Sequence, residues 1–138
     1  MSKEIVSTDK APAAVGPYSQ AVRVGDLIYT AGQLGIDPET KAFVGDDIES
    51  QTRQALENVK AVLEAAGSCL EHAVKNTVFL QDMGEFSRMN AVYAEFFPEN
   101  PPARSAVEVA ALPLGGRVEI ECVAEACDCE STEDCGCR

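Results

Sequence analysis

Pro101-Pro102-Ala103-Arg104-Ser105-Ala106-Val107-Glu108-Val109 and, a short loop later, Val118-Glu119-Ile120-Glu121 are the stretches on which the fold turns. Both read as strand-like runs, and the spacing predicts strands over about Ser105 to Ala110 and Arg117 to Val123. Leu112-Pro113-Leu114-Gly115-Gly116 between them reads as a connection. The two prolines fix φ on the approach to Arg104 and lower the entropy of holding its guanidinium at the mouth of a strand. In the second run Glu119 and Glu121 share one face, while Val118, Ile120 and Cys122 share the other.

Upstream, Gln20 to Val24 and Leu27 to Thr30 flank the turn pair Gly25-Asp26 and predict a β-hairpin. Ala31-Gly32-Gln33-Leu34-Gly35 reads as a loop of small residues that lets backbone approach backbone or ligand. From Ile48 onward Leu56, Val59, Val62, Leu63 and Ala66 recur at helical spacing. Asp46 with Glu49 resembles a capping box, and Gly67 suits the position after the helix end. A strand over Val74 to Leu80 and a second helix with Phe86, Met89, Val92, Tyr93, Phe96 and Phe97 on one face follow, and Pro98 ends that helix. The order is that of an α+β sheet with two helices packed on one face. The other face then needs cover, which a homo-oligomer supplies.

At 138 residues the chain fits one domain. Its net charge of -12 argues against nucleic acid, whose binding rests on Lys and Arg neutralising phosphates. No apolar run approaches a membrane span and Met1-Ser2-Lys3-Glu4-Ile5 has no apolar signal region, so the expectation is a cytoplasmic protein. Five of the six cysteines fall between Cys122 and Cys137, which points to a peculiarity of the tail rather than a disulfide framework. Cys127-Asp128-Cys129 and Cys135-Gly136-Cys137 form two C-x-C units with affinity for soft metals, although structural zinc sites favour C-x-x-C. The opposing reading is an acidic flexible tail over 126–138 whose thiols are idle or redox-active.

Among groups that can do chemistry, Arg104 offers a planar fork to a carboxylate or phosphate. Glu119 can orient or activate water. The plain alternatives are a solvated arginine and a solvated sheet face. If the last two strands formed a simple hairpin, Arg104 would lie about 16 Å along the strand from Glu119. One pocket holding both must draw them from different subunits, or the two strands are not neighbours. Tyr18, after Gly16-Pro17, can cover a small pocket. Asn90, an amide inside a helix, can reach a loop or a ligand. His72 reads as a surface residue, and no Ser-His-Asp or Cys-His system can be assembled.

Ala11-Pro12-Ala13-Ala14-Val15-Gly16-Pro17-Tyr18-Ser19-Gln20-Ala21-Val22, Thr30-Ala31-Gly32-Gln33, Pro102-Ala103-Arg104-Ser105 and Val118-Glu119-Ile120-Glu121 together resemble the RidA (YjgF) family over about residues 3 to 124. The resemblance implies a RidA-like domain over 1–125 with a chorismate-mutase-like mixed β-sheet, a homotrimer, and pockets in the clefts between subunits. It also implies 2-iminobutanoate/2-iminopropanoate deaminase activity without metal or organic cofactor. By that likeness Arg104 clamps the substrate carboxylate, Glu119 positions or activates water, the Gly32 N–H assists at the carboxylate, and Tyr18 and Asn90 line the pocket. Many deaminating members carry Cys where this chain has Ala106, and Ser where it has Ala31. A contact made by the backbone carbonyl at Ala106 survives that change, whereas loss of the hydroxyl at Ala31 bears on substrate preference. A non-catalytic carboxylate-binding regulator using the same pocket is the alternative, and a ribonuclease reading conflicts with the acidic charge.

Overall fold

The computed structural model describes residues 2–127 and Cys137. Its strands are β1 (Glu4–Val6), β2 (Ala21–Val24), β3 (Leu27–Thr30), β4 (Gln33–Leu34), β5 (Ala73–Leu80), β6 (Ala103–Glu108) and β7 (Val118–Glu125). The helices are α1 (Ile48–Ala65) and α2 (Phe86–Phe96). In the sheet the order is β1-β2-β3-β7-β5-β6, with β4 paired beside β3 on β7.

β2 and β3 form the expected antiparallel hairpin, with Val24 opposite Leu27 and Gly25 at φ 60°. The last two strands do not form one. β5 lies between them, antiparallel to β7 and parallel to β6. Parallel neighbours need a crossover, and α2 provides it between β5 and β6. Two short strands escaped the periodicity. β1 has three residues and the β4 pairing two, too few to show a repeat.

The N-cap of α1 is Asp47, not Asp46: its Oδ2 accepts from the Ser50 N–H at 2.8 Å. Glu49 is turned away from any capping box toward α2, where Arg88 donates Nε and Nη2 to its carboxylate at 2.8 Å each. At the other end Ala66 is the cap and Gly67 follows at φ 88°. The Gly67 N–H reaches Glu64 O at 3.2 Å and the Ser68 N–H reaches Leu63 O at 2.8 Å, the paired bonds of a Schellman ending.

Both helices pack on one face of the sheet. Ile28, Val78, Leu80, Val118 and Ile120 of the strands meet Ile48, Leu56, Val59, Val62, Leu63 and Met89 of the helices, all essentially without solvent access. Alternate strand residues point the other way and stay open, with Tyr29 48% and Val107 41% exposed. No helix among the described residues is long and apolar enough to cross a membrane.

The cysteines depart from expectation. Cys69 and Cys137 are joined in a disulfide, Cys127 is also disulfide-bonded, and Cys122 is free and buried. The chain stays packed past Glu125: the Ala126 N–H donates to Asp26 O at 2.7 Å and the Cys127 N–H to Gly67 O at 2.8 Å. That turns the chain back toward Cys69. Cys129, Cys135 and most of the expected flexible tail over 126–138 lie outside the described residues.

Gly67→Ala places a β-carbon in the left-handed region, where an L-residue costs about 1–2 kcal/mol. Denaturant unfolding at fixed protein concentration is expected to show a loss of that size.

Candidate active site

Arg104 sits near the start of β6, in register with Asn76 of β5 and, one strand further, Cys122 of β7. All three side chains face α2 or the core beneath it. The Arg104 guanidinium carbon lies 4.6 Å from the Tyr93 ring centre and 5.4 Å from that of Phe86. Nη1 donates to Asn90 Oδ1 at 2.7 Å. One amide and two rings of α2 therefore hold the head group by a hydrogen bond and by cation–π attraction. Sequence reading singled out Asn90 but took Phe86 and Tyr93 as core residues only, since helical spacing does not distinguish an apolar stripe from a cradle.

Tyr93 is itself anchored, because Asn76 Nδ2 donates to its hydroxyl at 2.9 Å. Burial pushes the Tyr93 phenol up, with the Asn76 hydrogen bond and the Arg104 charge opposing. Asn76 is 1% exposed, and its Oδ1 has no hydrogen-bond partner among the described residues. Elsewhere in this acidic chain Arg53, Arg88 and Arg117 each pair with a glutamate. Among the described residues no carboxylate pairs with Arg104, which leaves much of its donor fork open at a half-buried position. Ala106, two residues on, lies on the same face of β6, packed against the core.

Glu119 and Gly32 form a second group. β4 pairs with β7 so that Gln33 faces Ile120 and Leu34 faces Glu119. Buried Asn58 of α1 holds this segment by donating Nδ2 to Leu34 O at 3.0 Å and to Ile36 O at 2.9 Å. A β-carbon on Gly32 would lie 2.7 Å from Glu119 Cδ, so only glycine lets the backbone approach the carboxyl this closely. Burial raises the Glu119 pKa above 4.5, and the like charge of Glu121 adds to the effect. No hydrogen bond to the Glu119 carboxylate forms among the described residues.

The two groups do not meet within one chain. Glu119 is in register with Phe79, three residues along β5 from the Arg104 partner Asn76. An odd separation means opposite faces: Arg104 points toward α2 and Glu119 toward the open side of the sheet. Two strand spacings and three residues also separate their backbones by roughly 10 Å in each direction.

Tyr18 belongs to neither group. It is 53% exposed on the loop before β2, where its N–H bonds Gly16 O at 2.8 Å. Buried Gln20 ties that loop down, donating Nε2 to the carbonyls of Thr8, Ala11 and Pro12 at 3.0, 3.3 and 2.7 Å while accepting the Thr8 N–H at 2.7 Å. Sequence reading gave Gln20 no role, and a lone glutamine at a strand edge carries no signal for one. The Ala31 N–H, beside Gly32, donates to Gln20 O at 2.8 Å, so the loop and the Gly32 segment share an anchor.

The family model described as Endoribonuclease L-PSP matches residues 8–126. The chain is 51% identical over 122 residues to the 2-iminobutanoate/2-iminopropanoate deaminase of Bos taurus, covering 88% of this chain and 89% of that protein. Among solved structures, the YjgF gene product of E. coli superposes with a TM-score of 0.85 at 46% identity, covering 88% of this chain and 98% of that one. E. coli TdcF with bound serine gives a TM-score of 0.86 at 40% identity, covering 90% and 99%. With a family model spanning the domain, relatives at about half identity and the same sheet and helices, the chain belongs to the RidA (YjgF) family.

Proposed function

We propose that this protein is an imine deaminase that hydrolyses 2-iminobutanoate, 2-iminopropanoate and related 2-imino acids to 2-oxo acids and ammonia. The observation that carries the reading is Arg104: a half-buried guanidinium, held by Asn90, Tyr93 and Phe86, with no carboxylate of the described residues against it. Such a group is prepared for a small anion with a planar two-oxygen end. The Bos taurus relative named for this reaction supports the substrate class.

In this reading Arg104 clamps the substrate carboxylate, with Asn90, Tyr18, the Gly32 N–H and the Ala106 carbonyl completing the pocket. Glu119 takes a proton from water as the oxygen adds to the imine carbon, then returns it to nitrogen. The resulting carbinolamine collapses to C=O and releases ammonia, so imine plus water balances oxo acid plus ammonia. A carboxyl with a raised pKa suits both halves of this exchange. An imine conjugated to a carboxylate is already electrophilic, so positioning and electrostatics supply the rest without a cofactor.

Because Arg104 and Glu119 lie on opposite faces of one sheet, the site in this reading is shared between neighbouring subunits of a homotrimer. The open face bearing Tyr29, Phe79 and Val107 is the surface that association covers. A cytoplasmic setting, where pyridoxal-phosphate enzymes release reactive imines, goes with it. The family model's description names an endoribonuclease, but a net charge of -12 repels an RNA backbone, and we assign no nucleic-acid partner.

Purified protein is expected to accelerate 2-oxo acid formation when coupled to a threonine dehydratase or an amino-acid oxidase. Arg104→Ala is expected to abolish that acceleration, and Glu119→Gln to lower it about 10²–10⁴-fold. Tight binding of 2-oxobutanoate without any turnover by the wild type would instead establish the regulatory binder.

Subunit sharing has its own test. Arg104→Ala and Glu119→Gln chains, the one inactive and the other strongly impaired alone, are refolded together in equal amounts. Random hybrids of a cyclic oligomer restore about a quarter of the wild-type sites if Arg104 and Glu119 come from neighbouring chains. Hybrids that stay inactive would place each site within one chain.

The pH profile follows from the raised Glu119 pKa. The ionised carboxylate is the base, so kcat/KM falls as pH drops through that raised value, above the 4.5 of an unperturbed glutamate. Glu121→Gln removes the like charge and is expected to move this acid limb to lower pH.

A further inference from the structure

Cys69, His72 and Cys137 bring one ligand atom each to within 4.8 Å of one another, and they share no residue with the Arg104 and Glu119 groups. Two segments build the cluster. The first is the tight turn Leu70–His72, preceded by Cys69, whose carbonyl accepts the His72 N–H at 3.1 Å. It is firmly seated: Ser68 Oγ donates to Glu125 O at 2.7 Å, and Gly67 O accepts the Cys127 N–H at 2.8 Å. The second contributes Cys137, which the disulfide holds against this turn. The family model ends at residue 126, so Cys127 and Cys137 lie beyond the part of the chain it describes.

The disulfide sets its two sulfurs beside the His72 imidazole. Two thiolates and an imidazole form a nitrogen–sulfur donor set suited to thiophilic d¹⁰ ions. We propose that reduction of the Cys69–Cys137 disulfide opens a Cys69–His72–Cys137 site for such an ion, Zn(II) first, with the fourth position open to solvent.

The disulfide and the metal exclude each other because they use the same sulfurs. A low-molecular-weight thiol, RSH, is the reductant: two RSH and the protein disulfide give RSSR and two protein thiols. One divalent ion then displaces the two thiol protons, and the two thiolates neutralise its charge. Sulfurs on a tetrahedral zinc lie about 3.8 Å apart, at Zn–S bonds of about 2.3 Å. The Cys69 and Cys137 Cα atoms are 5.8 Å apart, and rotation of the side chains provides that spacing without moving the turn. Cys69 is 2% exposed, which shields one metal–sulfur bond from water. The net charge of -12 favours cation over anion throughout.

The test uses the full chain, reduced under anaerobic conditions, desalted and titrated with Co(II) as a spectroscopic stand-in, then with Zn(II). Expected are thiolate-to-cobalt charge-transfer bands with the d–d bands of a tetrahedral ion, lost when Zn(II) displaces cobalt and absent from the oxidised protein. Cys137→Ser and His72→Gln are each expected to weaken binding about tenfold or more, and Cys122→Ser to leave it unchanged. Reduced wild type without these bands would overturn the proposal. So would unchanged affinity in both His72→Gln and Cys69→Ser, which would assign the metal to the tail thiols alone.

Discussion

The placement of β5 between β6 and β7 is the constraint on which the rest of this structure depends. Parallel pairing on one side requires the crossover helix α2, and antiparallel pairing on the other lets β7 carry β3 and β4 in turn. The register then distributes chemistry between faces. Arg104 falls in the row of Asn76 and Cys122, under α2, while Glu119 falls in the row of Phe79 and Val107, on the open side. A one-residue slip of β6 along β5 would turn Arg104 to the open face and out of its cradle.

The cradle shows how a charge is kept half-buried without a counter-ion of its own. Tyr93 and Phe86 offer ring faces, Asn90 accepts one hydrogen bond, and Asn76 fixes the Tyr93 hydroxyl in turn. Rings and an amide hold the guanidinium in place without neutralising it, so its attraction for an anion survives. Glu119 is treated in the opposite sense. It gains neither a cation nor a hydrogen bond from the described residues, and burial beside the Gly32 backbone leaves its proton more tightly held. These two environments suit the roles of anion clamp and proton acceptor that the proposed reaction gives the two groups.

Much of the fold was legible in the chain because its elements repeat. α1 shows helical spacing over eighteen residues, and β5 and β7 are long enough to display alternation. The capping residue was misplaced by one because Asp46 and Asp47 are adjacent, and only the direction of Glu49 toward Arg88 distinguishes them. β1 and β4 are too short to carry a period. The Cys69–Cys137 bond spans 68 residues, and spacing along the chain does not encode an approach across that distance.

The sequence by itself determined the α+β class, the two amphipathic helices, the hairpin at Gly25-Asp26, the acidic surface and the chemical identities of Arg104 and Glu119, because each is written in local composition or a short repeat. It also restricted those two residues to two arrangements, different subunits or separated strands. Tertiary structure alone decided that the strands are separated and the faces opposite, that Phe86 and Tyr93 hold the guanidinium, that Gly32 lies against the Glu119 carboxyl, and that Cys137 meets Cys69. These are matters of register and long-range approach. They depend on which strands pair and at what offset, and that is fixed by burying one face of the whole sheet under two helices at once.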